Sequence, residues 1–504
     1  MNTLTFLDDF CLQQRHQLKR RFFTPRVIED SGYNDPAFGP AFSSIAYVPE
    51  QDRYLMWANF NTVFADLKTV SDRCLLALAE STDGIHYSPI TDGLPGYGNI
   101  KNVVYTGKAD SIHGATVIYD PQDPNPERRF KCAATLDDVT ELMAYSPCTV
   151  AFSPDGKKWT LDGLKNLWSN NWSDAYNSII YNPILKCYQI FCRATGTDRR
   201  ISTVLSQDLI HWSTPRTILH PGPMDGPGVE FYSMPVFFHQ GIFYGYLWIF
   251  ETDDEDRVPY KMAGRLRMEL VYSYDGLSWI RTYQEAFSMN DYDSDGYGIL
   301  QNTLYNTILN REKDKWLTVL TLWRGGHVPG LYGPPGNNHL PLALTPSTPG
   351  LGVRRIAEMR PGRFCGLEAI GLSGRLRTKN MVMKRGGTFP AINVACPYGE
   401  MRVRILNSRN QPVPGFDFQD SIPFRGDELA WKPRWKERRI EETEGKLFNL
   451  EIELNGGCIF GISGDLMPHH SALPQYGYGD PRSAAMEVWG TTQKAPDYDM
   501  LEMH

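Results

Sequence analysis

Apolar residues in this chain fall in short runs, not at helical spacing. Leu75-Leu76-Ala77-Leu78-Ala79, Thr149-Val150-Ala151-Phe152, Ser202-Thr203-Val204-Leu205 and Glu269-Leu270-Val271-Tyr272 each give way at once to a polar turn, the pattern of buried strands. The turn that follows is nearly the same each time. Ser81-Thr82-Asp83-Gly84-Ile85-His86-Tyr87, Ser153-Pro154-Asp155-Gly156-Lys157-Lys158-Trp159, Ser206-Gln207-Asp208-Leu209-Ile210-His211-Trp212 and Ser273-Tyr274-Asp275-Gly276-Leu277-Ser278-Trp279 share Ser-x-Asp-(Gly/Leu)-x-x-(Trp/Tyr). Asp can fold back onto its own backbone and Gly accepts positive φ, so the phrase predicts a tight hairpin turn, with the closing aromatic opening the next strand. One copy is a generic hairpin; four in register, some 50–70 residues apart, predict one four-stranded propeller blade per copy.

A second hairpin phrase runs out of phase with the first. Its copies are Ser44–Pro49 with Tyr54–Trp57, Thr116–Pro121 with Arg129–Cys132, Ser178–Pro183 with Tyr188–Phe191, Met234–Phe238 with Phe243–Trp248, and Leu304–Leu309 with Trp316–Leu320. Two hairpins per unit and five units predict an all-β chain with a five-bladed β-propeller over residues 30–372. Leu367–Arg375 reads as a decayed copy of the second hairpin of the last blade. Residues 1–29 read as a short amphipathic helix and arm. Residues 373–470, with short strands at regular spacing, read as a β-sandwich, and 471–504 as a tail rich in Pro, Gly and Tyr. A Gly/Pro insertion between Arg324 and Arg354 is placed to roof one face.

Composition narrows the function. The 504 residues exceed one ordinary core, and 44 Gly with 35 Pro favour turns and strands over helices. A net charge of −7 without a basic block argues against nucleic acid or an anionic membrane surface as partner. Nine scattered Cys, without a CxxC pair, read as small buried hydrophobes in a reducing compartment. No signal peptide and no run of about 18 apolar residues is visible, so the expectation is a cytoplasmic protein that does not span a membrane. Homo-oligomer formation is compatible with the sequence. Twelve Trp and 26 Tyr suit blade packing and also stacking on sugar rings.

In a propeller the innermost strands run along the axis, so residues just ahead of each ring the mouth of the central channel. Asp35 stands ahead of blade 1 (with Asp30 as substitute), Asp110 ahead of blade 2, Asp174 ahead of blade 3 and Glu230 ahead of blade 4. Converging carboxylates are what glycosidic cleavage needs: one protonates the leaving oxygen, another attacks the anomeric carbon or activates water, and a third tunes them. Each also has a bland reading as a turn residue, which is the one favoured for Asp120-Pro121. Glu230 reads as the general acid. His113, Asn177, Arg193, Tyr232, Asn302, Arg324 and His327 are the candidates for sugar hydroxyls, with Arg193 equally suited to pairing a central carboxylate. His113 and His327 make no metal-ligand spacing with any Cys, and no phosphate loop, dinucleotide fingerprint or nucleophile elbow is present, so neither a metal nor a cofactor is expected.

The Asn34-Asp35-Pro36 phrase, the repeated Ser-x-Asp-Gly-x-x-Trp, Asp208-Leu209-Ile210-His211-Trp212 and Val413-Pro414-Gly415-Phe416 with Gly426-Asp427 together resemble the five-bladed-propeller glycoside hydrolases of families 32 and 43, with an appended sandwich. That resemblance implies a furanosidase-type enzyme whose acids come from the first three blades. Asp35 and Asp110 match a base or nucleophile and a modulating Asp. The third blade offers Asp174, and the Glu arrives only in blade 4; the fuller Trp-x-Asn-Asp-Pro-Asn-Gly signature is absent. Competing readings are a transglycosylase on the same scaffold, a non-catalytic carbohydrate-binding propeller and a sialidase-like enzyme. The last wants a Ser-x-Asp-x-Gly box that this chain lacks.

Overall fold

The computed structural model describes residues 2–34, 39–61, 74–95, 100–107, 112–136, 148–160, 173, 176–193, 198–252, 264–287, 301–323, 352–371, 373–383, 386–468 and 487–488. Apart from two short 3-10 turns, their regular structure is all strand. They divide into two compact units: residues 24–238 with 242–359, and residues 1–23 with 239–241 and 360–504.

The first unit is the propeller. Blade 1 pairs Gly39–Val48, Arg53–Asn61, Cys74–Ser81 and Ser88–Pro89 in that order, and blade 2 pairs Ile112–Tyr119, Phe130–Leu136 and Cys148–Ser153. Blade 3 is Ser178–Asn182, Cys187–Cys192, Ile201–Ser206 and Arg216–Leu219. In blade 4 the innermost strand is split at Met234-Pro235 into Val229–Ser233 and Val236–His239, where proline cannot donate to a ladder. Ile242–Thr252, Gly264–Ser273 and Trp279–Glu285 complete it.

Blade 5 departs from the sequence reading. Its inner strands are Gln301–Leu309, Trp316–Trp323 and Gly352–Met359, and its outermost strand is Arg26–Ile28 from the start of the chain, with Val27 opposite Ala357. The stretch read as a decayed last hairpin instead supplies Cys365–Ala369 and Gly374–Thr378 to the other unit. Residues 1–29, read as helix and arm, form strands Asn2–Thr5, Leu12–His16, Leu18–Phe22 and Arg26–Ile28. The reason is partner availability: an isolated short helix is marginal in water, whereas these residues find open strand edges.

The four Ser-Asp phrases fold identically. In blade 2, Ser153 Oγ accepts from the N–H groups of Asp155 (3.3 Å) and Gly156 (2.9 Å) and donates to Asp155 Oδ1 (3.1 Å). That oxygen also accepts from the N–H groups of Lys157 (2.9 Å) and Lys158 (2.8 Å). The same set recurs at Ser81/Asp83, Ser206/Asp208 and Ser273/Asp275. Gly156 sits at φ +75° with its Cα facing Trp57 of blade 1; an added Cβ would lie 2.6 Å from the indole. Leu209 takes the same left-handed turn at φ +65° in blade 3. Each turn leans on the preceding blade: Trp57 Nε1 donates to Gly156 O (2.8 Å), and Gln189 Nε2 of blade 3 to Gly276 O (2.8 Å). The closing Trp side chains fold back, Trp159, Trp212 and Trp279 each donating Nε1–H to a carbonyl of their own turn.

The second unit is sandwich-like, a twelve-stranded sheet wrapped around one core. Its strand order runs Leu12–His16, Gly374–Thr378, Lys446–Asn455, Ala391–Leu406, Cys458–Gly464, Cys365–Ala369, Leu18–Phe22. The sixteen-residue strand Ala391–Leu406 makes the bend: its first part pairs with Cys458–Gly464 and its last part with Lys446–Asn455. The two ends of this order are consecutive in the chain, separated only by Gln17 at φ +50°. The 325–354 insertion lies almost wholly outside the described residues, as does most of the 471–504 tail.

Two outcomes follow from this architecture. Ile28→Pro removes a ladder N–H from the strand that completes blade 5, where Ile28 stands opposite Ile356, and is expected to cost about 2–3 kcal/mol, read as a lowered midpoint in urea. The phrase aspartates carry a pH signature. Partial burial opposes ionisation of Asp83, Asp155 and Asp275 but is outweighed by hydrogen bonds, and at Asp208 the His211 contact leads, so all four carboxyls are held below the usual range. A folded-state pKa below the unfolded one stabilises above about pH 4, and that stability is lost as pH falls further. Asp155→Asn should therefore lower stability at pH 7 by about 1 kcal/mol and flatten the loss below pH 4, followed by circular dichroism.

Candidate active site

Inner strands of a propeller do not pair with one another, so their axial edges need other partners. Here side chains bridge them. Ser44 Oγ accepts from Val117 N–H (3.1 Å), Ser178 Oγ from Val236 N–H (3.0 Å), and Asn306 binds both the N–H (2.8 Å) and the carbonyl (2.7 Å) of Ile45. Blades 1 and 5 are further tied by Arg354. Its guanidinium donates to Ser43 Oγ (2.7 Å) and Asn59 O (2.7 Å), while its backbone exchanges two hydrogen bonds with the side chain of Asn34.

Four of the five inner strands carry a bulge at the same level: between Pro40 and Ser43, His113 and Thr116, Phe231 and Ser233, and Leu304 and Thr307. A bulge re-aims the extra residue, and Phe42, Tyr232 and Tyr305 occupy these positions. With His113, Tyr176 and Trp248 they form one cluster drawn from every blade. Phe42 meets His113 edge-on at 5.0 Å and lies nearly parallel to Trp248 at 6.3 Å. Tyr176 packs at 5.3 Å from Tyr305 and 5.9 Å from Trp248, and Tyr232 at 6.2 Å from Trp248. Tyr176, Trp248 and Tyr305 are fully buried, whereas Phe42 and His113 keep partial access to solvent. Their polar atoms are satisfied: Tyr176 Oη donates to Ser43 O (3.3 Å), Trp248 Nε1 to Leu304 O (3.0 Å), and Thr303 Oγ1 to Tyr305 Oη (2.9 Å). Burial pushes the Tyr176 and Tyr305 phenols up, so both stay protonated at neutral pH. The other end of the axis opens into a cavity of about 450 Å³ lined by all five inner strands.

Beside this cluster, at the seam of blades 3 and 4, Glu230 is ion-paired with Arg199, their side chains 6% and 13% exposed. Arg199 also sits 5.0 Å over the Phe250 ring, and Arg193, buried at the end of its strand, 4.9 Å over that of Tyr232. Cation–π contact and ion pair together fix both guanidinia.

Of the residues singled out from sequence, His113, Arg193, Glu230 and Tyr232 are thus linked to one aromatic cluster at the mouth where the inner strands begin. Asn177 is close by but fully buried, its amide donating to Thr135 Oγ1 (3.0 Å) and accepting from Ser173 Oγ (2.6 Å), a tie between blades 2 and 3. Asp35, Asp110, Asp174, Arg324 and His327 lie outside the described residues; Asn302 is in strand Gln301–Leu309, with its side chain undescribed. Asp120 pairs with the buried Lys131 (3.1 Å) and accepts from Tyr188 Oη (2.5 Å), the structural role read for it. Among the described residues no group of three His, Cys, Asp or Glu is placed to hold a metal. Sequence reading passed over Phe42, Trp248, Arg199 and Arg354; a bulge leaves no mark in the alternation of a strand, and Arg199 stands in a loop without a motif.

No family model matches the chain, and no curated protein matches it. Among solved structures it is similar to a glycosyl hydrolase from Bacteroides ovatus at 12% identity, over 68% of this chain and 95% of that one, with TM-score 0.42. It is similar to an endo-arabinase from Bacteroides thetaiotaomicron at 11% identity, over 60% and 92%, with TM-score 0.39. An N-acetylgalactosamine deacetylase from F. plautii, in complex with blood group B trisaccharide, matches at 14% identity over 69% and 97%, with TM-score 0.41. Likenesses this distant leave the chemistry to be read from the side chains themselves.

The Arg199–Glu230 pair supplies a test of the seam. Arg199→Met removes one cation from the buried Glu230 carboxylate and is expected to destabilise by about 3–5 kcal/mol, while the double variant Arg199→Met/Glu230→Gln recovers most of the loss. A double-mutant cycle in chemical denaturation measures it.

Proposed function

We propose that this protein is a glycoside hydrolase that cleaves a furanoside, such as a fructo- or arabinofuranoside, at the axial mouth of its propeller. The observation that carries the reading is the aromatic cluster contributed by every blade, with Phe42 and His113 partly exposed to solvent, at the end where each inner strand begins. Stacked rings with a few fixed polar neighbours suit a sugar face. In sequence, Asp35, Asp110 and Asp174 immediately precede the inner strands of blades 1, 2 and 3. The furanoside preference rests on the resemblance carried by Asn34-Asp35-Pro36.

In this reading one carboxylic acid protonates the glycosidic oxygen while an ionised partner attacks the anomeric carbon or directs water to it. The bond to the leaving alcohol breaks as the new C–O bond forms. Glu230, ion-paired with Arg199, is a hydrogen-bond acceptor in the wall of the site. That pairing favours Asp174 over Glu230 as proton donor, with Asp35 as nucleophile or base and Asp110 as the modulating acid. Arg193 and Tyr232 stiffen the wall, and His113 faces the ligand. An acceptor sugar in place of water would make the same steps a transglycosylation.

The deciding experiment is a panel of aryl furanosides and pyranosides with plant and fungal oligosaccharides, product anomers followed by NMR. Turnover of a furanoside is expected, falling about 10²–10⁴-fold in Asp110→Asn and Asp174→Asn with folding retained. Retained sugar binding without turnover by the wild-type protein would instead make the propeller a carbohydrate-binding module.

A further inference from the structure

The sandwich-like unit carries a charged face that no part of the axial chemistry uses. Side chains two apart on a strand share a face, and the register aligns four strands so that their charges form two rows. Gln14 stands opposite Arg377, Arg377 opposite Glu451, and Glu451 opposite Arg404. In the next row His16 stands opposite Arg375, Arg375 opposite Glu453, and Glu453 opposite Arg402. The first row is built around a nearly inaccessible carboxylate. Glu451, its side chain 2% exposed, accepts from Arg377 (2.9 Å) and Arg404 (2.5 Å) at once. Arg404 also reaches Asp417 (3.2 Å), and Arg404 and Arg375 sit 4.6 and 5.3 Å over the ring of Phe418.

At the edge of these rows is a cavity of about 400 Å³, within the size range of small-molecule sites. Its described wall holds three guanidinia, Arg375, Arg377 and Arg404, against the single carboxylate of Glu451. Gln14, His16 and Ser373 complete the polar wall, and Leu376 is its one aliphatic group. Each guanidinium has five N–H donors and no acceptor; Arg375 spends one nitrogen on Glu453 (2.5 Å) and Arg377 one on Glu451, so both keep donors to spare. Arg377 also carries an Nε that is buried without a hydrogen-bond partner, a costly state for a polar atom.

We propose that this cavity is a second carbohydrate site, specific for a sugar carboxylate, the hexuronate unit of an acidic polysaccharide. The planar forks of Arg375 and Arg377 match the two oxygens of a carboxylate. Gln14, His16 and Ser373 are there for hydroxyl groups, and the near absence of apolar wall disfavours lipids and apolar peptides. The site lies within one unit and is independent of the axial reaction.

The test is calorimetric titration of the full chain with short oligogalacturonides and glucuronate, with neutral galacto-oligosaccharides and inorganic sulfate as comparisons. Uronate binding is expected, weakening as salt rises, reduced at least tenfold in Arg377→Gln and retained in Asp110→Asn. Because Arg377→Gln also disturbs the buried Glu451, Gln14→Trp serves as the second variant: it fills the cavity from an exposed edge strand and should abolish binding at unchanged thermal stability. Neutral sugars binding as tightly, sulfate alone competing fully with uronate, or uronate binding surviving Gln14→Trp would each overturn the proposal.

Discussion

Ring closure is the constraint on which the propeller rests, and the short stretch of chain that closes it also supplies strands to the second unit. Arg26–Ile28 completes blade 5 by pairing with Gly352–Met359, more than three hundred residues away. Just before it, Leu12–His16 and Leu18–Phe22 occupy the two ends of the strand order in the sandwich-like unit. A sheet with an open edge exposes unpaired N–H and C=O groups, and closing the ring removes that edge. Pairing so distant in sequence is entropically slow to form, so the inter-blade ties matter. Arg354, buried and holding Ser43 and Asn59 across the closing seam, together with Asn34 on its backbone, converts a two-edge contact into a fixed joint.

The same closure makes the axial site. Phe42, His113, Tyr176, Tyr232, Trp248 and Tyr305 meet only because five inner strands share an axis, and three of them are aimed there by bulges. The cluster fills the middle of the axis with ring carbon, leaving a mouth on one side and the cavity of about 450 Å³ on the other. At the rim the charged groups are fixed in place: Arg199 by Glu230 and Phe250, Arg193 by Tyr232. A packed aromatic floor with charges held at its side is the pre-organisation that the proposed binding and turnover of a sugar ring would draw on.

The two units handle charge differently. The propeller buries compact charged clusters, such as Lys131 with Asp120 and Asp123, or Arg281 with Glu269 and Asp225. The sandwich-like unit spreads its ion pairs along a sheet face, with N–H donors of Arg375 and Arg377 left over at one cavity.

Much of this was written in local sequence. The Ser-x-Asp-Gly phrase announces its own turn because the Ser and Asp side-chain hydrogen bonds that shape it span three residues or fewer, and its repetition counts blades. The alternation of apolar runs and turns likewise fixes an all-β chain of two units. The sequence could not announce partners. Residues 12–28 carry no strand signal stronger than their helical one until open edges are offered, and Leu367–Arg375 resembles a blade hairpin until the N-terminal strand takes that place. Phe42, Trp248 and Arg199 look like ordinary strand or loop residues, since a bulge and a shared axis are properties of register, which only long-range pairing decides. Residue types and short turns are set by interactions a few residues long; which strand closes which ring, and which side chains therefore meet, is set by contacts hundreds of residues apart.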